Sequence, residues 1–286
     1  MRKFSIVLLS VLLLIVFVGC DLSVETMGKM GKNLAGTDKN YVASIIKQTE
    51  PEAAKKKDED GKITITGSNF SISASEGKGS ISIGGKDVKV PSELQTAINK
   101  VLTDSEFSSI ILPTDISDIV LGVKSGSNSE IIKEELKKTA KDDSLKAAQG
   151  TVTLVNAMLD EVQTAVKDDD PEGGFDEVIK EIKGFLPDKG SITNGDVVVL
   201  TALTNIIFNE NVLSNVGSIM EKPESPSDKD AQDKYDSAMK EVTGEMMNQV
   251  SSLLDVVTNV PSGMSNKIND FINNLMDNSD NKEESK

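Results

Sequence analysis

Residues 145–166 read LKAAQGTVTLVNAMLDEVQTAV. Leu145, Ala148, Val152, Val155, Leu159, Val162 and Val166 follow one another at alternating spacings of three and four. Such spacing places every one of these side chains on one face of an α-helix. The surrounding residues extend the expected helix from Ser129 to Lys167, and Gly150 marks a bend or break in it, since glycine costs about 1 kcal/mol against alanine in a helix. One apolar stripe of this length fits an intramolecular core better than a coiled-coil seam between two chains.

Upstream the period changes. Ile63 and Ile65, then Phe70, Ile72 and Ala74, then Ile81 and Ile83, then Val88 and Val90 alternate with polar residues. Alternation by two, with Gly67, Gly77, Gly79, Gly84 and Gly85 between the runs, predicts three or four short strands in an antiparallel meander over about residues 62–90. Gly84-Gly85 suits a hairpin turn. From Pro91 onward the helical period returns. Ser92 and Glu93 open a helix through Leu94, Ile98, Val101 and Leu102 that ends before Pro113, and Thr114–Val123 forms a shorter one capped by Thr114 or Asp115.

Downstream, Phe175, Val178, Ile179, Ile182 and Leu186 line a helix closed by Pro187. Residues 197–208 (VVVLTALTNIIF), capped by Asn194 or Asp196, form an almost wholly apolar stretch too short to span a bilayer, and so a central buried helix. Val212 to Met220 continue its layer, and Glu221–Lys234 is a polar loop with two prolines. A helix through Tyr235, Met239, Val242, Met246, Val250, Leu253 and Val257 then turns at Pro261 and Gly263 into a last one through Ile268, Phe271, Ile272 and Leu275. The fold class expected is α+β, predominantly α-helical: an amphipathic helix bundle with a small antiparallel β meander near its N-terminal part. It occupies residues 41–276, with a polar tail at 277–286.

The first twenty residues, MRKFSIVLLSVLLLIVFVGC, say where the protein works. Arg2 and Lys3 precede an apolar run from Ser5 to Val18, which at 1.5 Å per residue is too short for a hydrocarbon core of ~30 Å. A positive start, an apolar middle and a small residue at the end are the marks of a secretory signal peptide, here residues 1–19. Phe17-Val18-Gly19-Cys20 resembles a bacterial lipobox, in which the cysteine is lipidated and becomes the mature N-terminus. Phe17 and Val18 depart from its commonest residues, a looseness similar to that of spirochaetal lipoproteins. The resemblance covers the leader alone and implies acyl chains on Cys20. Cys20 is the only cysteine, so it has no disulfide partner within the chain. More than one acyl chain gives stable membrane attachment. Residues 20–40, with Gly28, Gly31 and Gly36 among polar residues, read as a flexible tether beyond the lipidated cysteine.

Composition narrows the chemistry. The formal charge is −15; removing Arg2 and Lys3 from the 31 basic residues leaves 29 against 46 acidic ones, a balance of −17. Nucleic acid is therefore not an expected partner. There is no histidine and no tryptophan, which removes the commonest general base and zinc ligand and disfavours ring-stacking glycan sites.

Two acidic stretches echo calcium loops without completing them. Asp58, Asp60, Gly61 and Ile63 fit half of an EF-hand, but its first position falls on Lys56 and its last on Gly67. Asp168, Asp170, Glu172 and Gly173 do the same, with Ile179 in the twelfth position. Ser-x-x-Lys occurs at Ser44–Lys47, Ser75–Lys78 and Ser237–Lys240 without the companion elements of a serine acyltransferase; Ser279-Asp280-Asn281 mimics one of them in the tail. No catalytic residue, metal or cofactor is expected.

These features predict a membrane-anchored envelope lipoprotein, held by acyl chains on Cys20, that binds or scaffolds an envelope partner. A periplasmic carrier of a hydrophobic small ligand between the C-terminal helices is the alternative, and a hydrolase the second alternative. Met239, Met246, Met247, Met264 and Met276 could give an adaptable apolar surface, although filling the core is the simpler role for them.

Overall fold

The computed structural model describes residues 55–67, 70–83, 85–88, 90, 92–112, 116–125, 129–166, 174–207, 229–230, 233, 236–237, 240 and 251–272. Five strands, β1 (Lys56–Lys57), β2 (Ile63–Thr66), β3 (Phe70–Ser75), β4 (Lys78–Ile83) and β5 (Lys86–Val88), pair antiparallel in sequence order. This is the expected meander with one strand more. β1 comes from the charged stretch that precedes the alternating run: Lys56 lies opposite Thr64 and Lys57 opposite Ile63. Both lysines stay exposed, as suits an edge strand, where they discourage further pairing.

Two-residue turns close the β3–β4 and β4–β5 hairpins. Ser75 pairs with Lys78, leaving Glu76 and Gly77 at φ of 51° and 79°, the two positive values that a type I′ turn requires. Ile83 pairs with Lys86 across the expected glycine turn, where Gly85 has φ of 77°.

The sheet buries Ile63, Ile65, Ile72, Ala74 and Ile81 under α1 (Ser92–Thr103), which contributes Leu94, Ala97, Ile98, Val101 and Leu102. Gly79 makes the contact close: a Cβ there would lie 2.3 Å from the Cβ of Ile98 and 2.7 Å from the Gln95 carbonyl oxygen. This glycine serves packing, whereas its neighbours in sequence suggest only a turn.

Helices α2 (Ser117–Ser125), α3 (Ser129–Leu136), α4 (Asp142–Val166), α5 (Gly174–Phe185) and α6 (Asn194–Ile207) follow, and residues 251–259 (α7) and 263–272 (α8) are helical. The single helix expected over 129–167 is thus two. The interruption falls at 137–141, where Ala140 N–H donates to Ile192 O at 2.9 Å and Asn194 N–H to Lys138 O at 2.8 Å. Cross-pairing with the entry to α6 takes those backbone groups out of the helix, and Asp142 restarts it at φ of 51°.

Gly150, expected at a break, lies inside unbroken α4. A Cβ on it would sit 1.8 Å from the Ser109 carbonyl oxygen, so the glycine admits the passing chain at 107–111. That chain is then held by Ile111 N–H donating to Thr151 Oγ1 at 2.8 Å. α4 also has a second buried face. Ala148, Val152, Val155 and Leu159 join the larger core with α5, α6 and α7, while Leu154 and Ala157 face the sheet and α1.

α6 is buried all round, as its composition predicts: Val197, Val198, Val199 and Leu200 are at most 1% exposed. Its cap is Thr193, one residue before the expected pair. Asp196 N–H donates to Thr193 Oγ1 at 3.1 Å, while Thr193 N–H and Oγ1–H donate to Asp196 Oδ2 at 2.9 and 2.8 Å. This is a capping box with aspartate in the reciprocal position.

The buried Asp196 also serves α8, its Oδ1 accepting Met264 N–H at 3.0 Å. Ser262 caps α8 through Ser265 N–H at 2.9 Å. A carboxylate between two helix N-termini is favoured by both dipoles. The two ends approach closely because residue 195 is glycine: a Cβ there would lie 2.2 Å from Pro261 O. Leu253, Val256, Val257, Val260 and Met264 seal the larger core, and Phe271 meets Phe185 with ring centroids 5.2 Å apart. Lys229, Asp230 and Asp233 are helical, so the loop expected over 221–234 gives way to helix within its span.

Candidate binding cleft

Cys20, the leader at 1–19, the tether at 20–40, the cap residues Thr114 and Asp115, the acidic run at 168–173, and Met239, Met246, Met247 and Met276 lie outside the described residues, as do Ser44–Lys47 and the tail. The other sequence candidates are distributed through the fold. Met264 is fully buried in the core. Asp58 closes the β1–β2 turn, its Oδ1 accepting Lys62 N–H at 2.8 Å while its own N–H donates to Lys62 O at 3.0 Å. Ser75 and Lys78 are exposed partners across a hairpin, and Ser237 and Lys240 are exposed helical residues. Among the described residues, no three His, Cys, Asp or Glu side chains are grouped to hold a metal ion, and no helix is long and apolar enough to cross a membrane.

The structure assembles a different set. A cleft of about 250 Å³ opens where the C-terminal end of α1 crosses the middle of α4. Its walls are Lys100 and Asp104 on one side, Thr153, Asn156 and Asp160 on the other, and Lys189 from the α5–α6 connection. Buried Val101 and Ala157 form an apolar floor. Residues 153, 156 and 160 share a helical face, so they form a polar stripe on the helix whose apolar stripe organises the core. The connection carrying Lys189 is fixed by Gln149 Nε2–H, which donates to Lys189 O at 2.9 Å.

The two carboxylates of the cleft already have protein partners. Asp104 Oδ1 accepts Glu106 N–H at 2.9 Å, and Asp160 Oδ1 pairs with Lys183 Nζ at 2.6 Å. Thr153 donates its hydroxyl proton to Gln149 O at 2.8 Å and keeps its lone pairs. Lys55 Nζ, donating to Asp104 O at 2.5 Å, adds a further positive charge at the rim. The ammonium groups of Lys100 and Lys189 and the half-buried Asn156 amide have no partner among the described residues. Two lysines and two aspartates line the cleft, and Lys55 at the rim and Lys183 on Asp160 tip its surroundings positive in a strongly acidic chain.

Sequence reasoning missed this set because its members lie far apart in the chain; the polar stripe 153–156–160 was its one visible trace. Comparison with protein families, curated proteins and solved structures finds no match to this chain.

Proposed function

We propose that this protein is a lipid-anchored component of a bacterial envelope that acts by binding or scaffolding. The observation that carries the reading is the positive, apolar, small-residue leader ending in Phe17-Val18-Gly19-Cys20, with Cys20 the sole cysteine. Acyl chains on that residue would hold the chain to a membrane, where an acidic body gains nothing from anionic headgroups. The absence of histidine from the sequence and the structural employment of Asp58 and Asp196 support binding over catalysis. An apolar-ligand carrier is less well supported, since Leu253, Val257 and Met264 of the C-terminal helices are packed into the core.

The test is labelling of growing cells with a radioactive fatty acid, for the native chain and for Cys20→Ala, followed by protease treatment of intact cells. Label on the native chain alone, with Cys20→Ala released from the membrane fraction, is the expected result. Equal membrane retention of both forms would overturn the anchor. Digestion in unbroken cells would place the body on the surface; protection until the outer membrane is opened would place it in the periplasm.

A further inference from the structure

The α1–α4 cleft combines features that together fit one class of ligand. Its volume of about 250 Å³ equals that of about eight liquid waters, the size of a monosaccharide. The exposed ammonium groups of Lys100 and Lys189, without partners among the described residues, can take an anion. An anion alone engages only the lysines, while the second oxygens of the exposed Asp104 and Asp160 and the lone pairs of Thr153 can also accept hydrogen bonds. Hydroxyl donors on the same ligand would use those acceptors as well. The floor of Val101 and Ala157 offers a small, flat apolar patch for a C–H face and has no room-demanding side chain over it.

We propose that this cleft binds a small polyhydroxylated carboxylate, an acidic sugar or sugar acid. The carboxylate sits between Lys100 and Lys189, with Asn156 Nδ2–H as a further donor. The hydroxyls donate to Asp104, Asp160 and Thr153. Specificity follows from the acceptors: a simple anion satisfies the lysines and leaves the aspartates merely hydrated, while a neutral sugar satisfies the aspartates and leaves the lysines without a charge partner. The proposal names a ligand class for the binding role inferred above; it stands on the cleft and is measured on purified protein, whereas the anchor is measured in cells, so either can fail alone.

The experiment is titration of the full-length ¹⁵N-labelled chain, solubilised in a mild detergent, with galacturonate, galactose and acetate, followed by amide chemical shifts. Galacturonate should give saturable shifts at Val101, Thr153, Asn156 and Ala157 at millimolar concentration or below, with galactose and acetate at least tenfold weaker. The Lys100→Ala/Lys189→Ala pair of exposed substitutions should weaken galacturonate at least tenfold and leave the remaining spectrum, and hence the fold, unchanged. Asn156→Asp, which adds a negative charge to the wall, should abolish binding. The proposal is wrong if galacturonate shifts no cleft amide, if galactose or acetate matches it, or if the double lysine variant binds it as well as the native chain.

Discussion

Two glycine-to-alanine substitutions in helices should change stability in opposite directions. By helix propensity alone, Gly150→Ala gains about 1 kcal/mol. At residue 150, however, the new methyl would fall 1.8 Å from Ser109 O, well inside van der Waals contact. Relief requires moving the 107–111 chain, which carries the fully buried Ile110 and Ile111 and the bond from Ile111 N–H to Thr151 Oγ1. Overpacking costs about 2 kcal/mol and an unsatisfied buried N–H about 2 more. Against the propensity gain, the net loss is about 3 kcal/mol. Gly184, near the end of α5, has no atom within 4 Å of a built Cβ, so Gly184→Ala should keep its gain of about 0.5–1 kcal/mol. Urea unfolding followed by far-UV circular dichroism measures both. At a slope of about 3 kcal/mol per molar urea, Gly150→Ala should lower the midpoint by about 1 M, while Gly184→Ala raises it slightly. A Gly150→Ala protein as stable as the native one would refute the close approach at Ser109 and restore the reading of Gly150 as a helix defect.

Asp196→Asn puts an NH₂ group opposite the N–H and hydroxyl of Thr193, or opposite Met264 N–H, and should cost about 2–4 kcal/mol; faster amide exchange in α8 than in α4 would show that the junction of the C-terminal helices has loosened, and unchanged exchange there would count against it. Gly79→Val should expand the α1–sheet contact and lower the melting temperature by several degrees, while Gly77→Asn, at a turn position that tolerates asparagine, should change it little. The hydrogen bond and then the charge of Lys137 hold the Glu134 carboxyl below its ordinary 4.5. A lowered carboxyl stabilises the fold above its unfolded value and loses that contribution as pH falls through the folded value. Glu134 is exposed, so Glu134→Gln should lower the melting temperature only slightly at pH 7 and low salt and should match the native chain at pH 2; a difference that survives molar salt would contradict a surface pair.

Local pattern was enough to reveal the class of fold. Alternation by two in Ile63–Val90 and the three–four spacing in Leu145–Val166 each report which face of an element is buried, and burial of one face is a local property. The all-apolar run at Val197–Leu200 likewise announced a helix enclosed on every side. The expectation of a leader and of acyl chains on Cys20 rests on sequence pattern alone.

Tertiary structure decided what depends on distant partners. The helix expected over 129–167 breaks at 137–141 because its backbone pairs with Ile192 and Asn194, a contact that no window of sequence contains. Lys56 and Lys57 become a strand because β2 is beside them, against their charge. Gly79, Gly150 and Gly195 look like turn or breaker residues in sequence, yet each is the place where another chain segment comes within a methyl group's reach. The cleft needs α1, α4 and the α5–α6 connection together before Lys100 and Lys189 share a wall with Asn156. Periodicity records which way a side chain faces; only packing brings together residues that the chain keeps tens of positions apart.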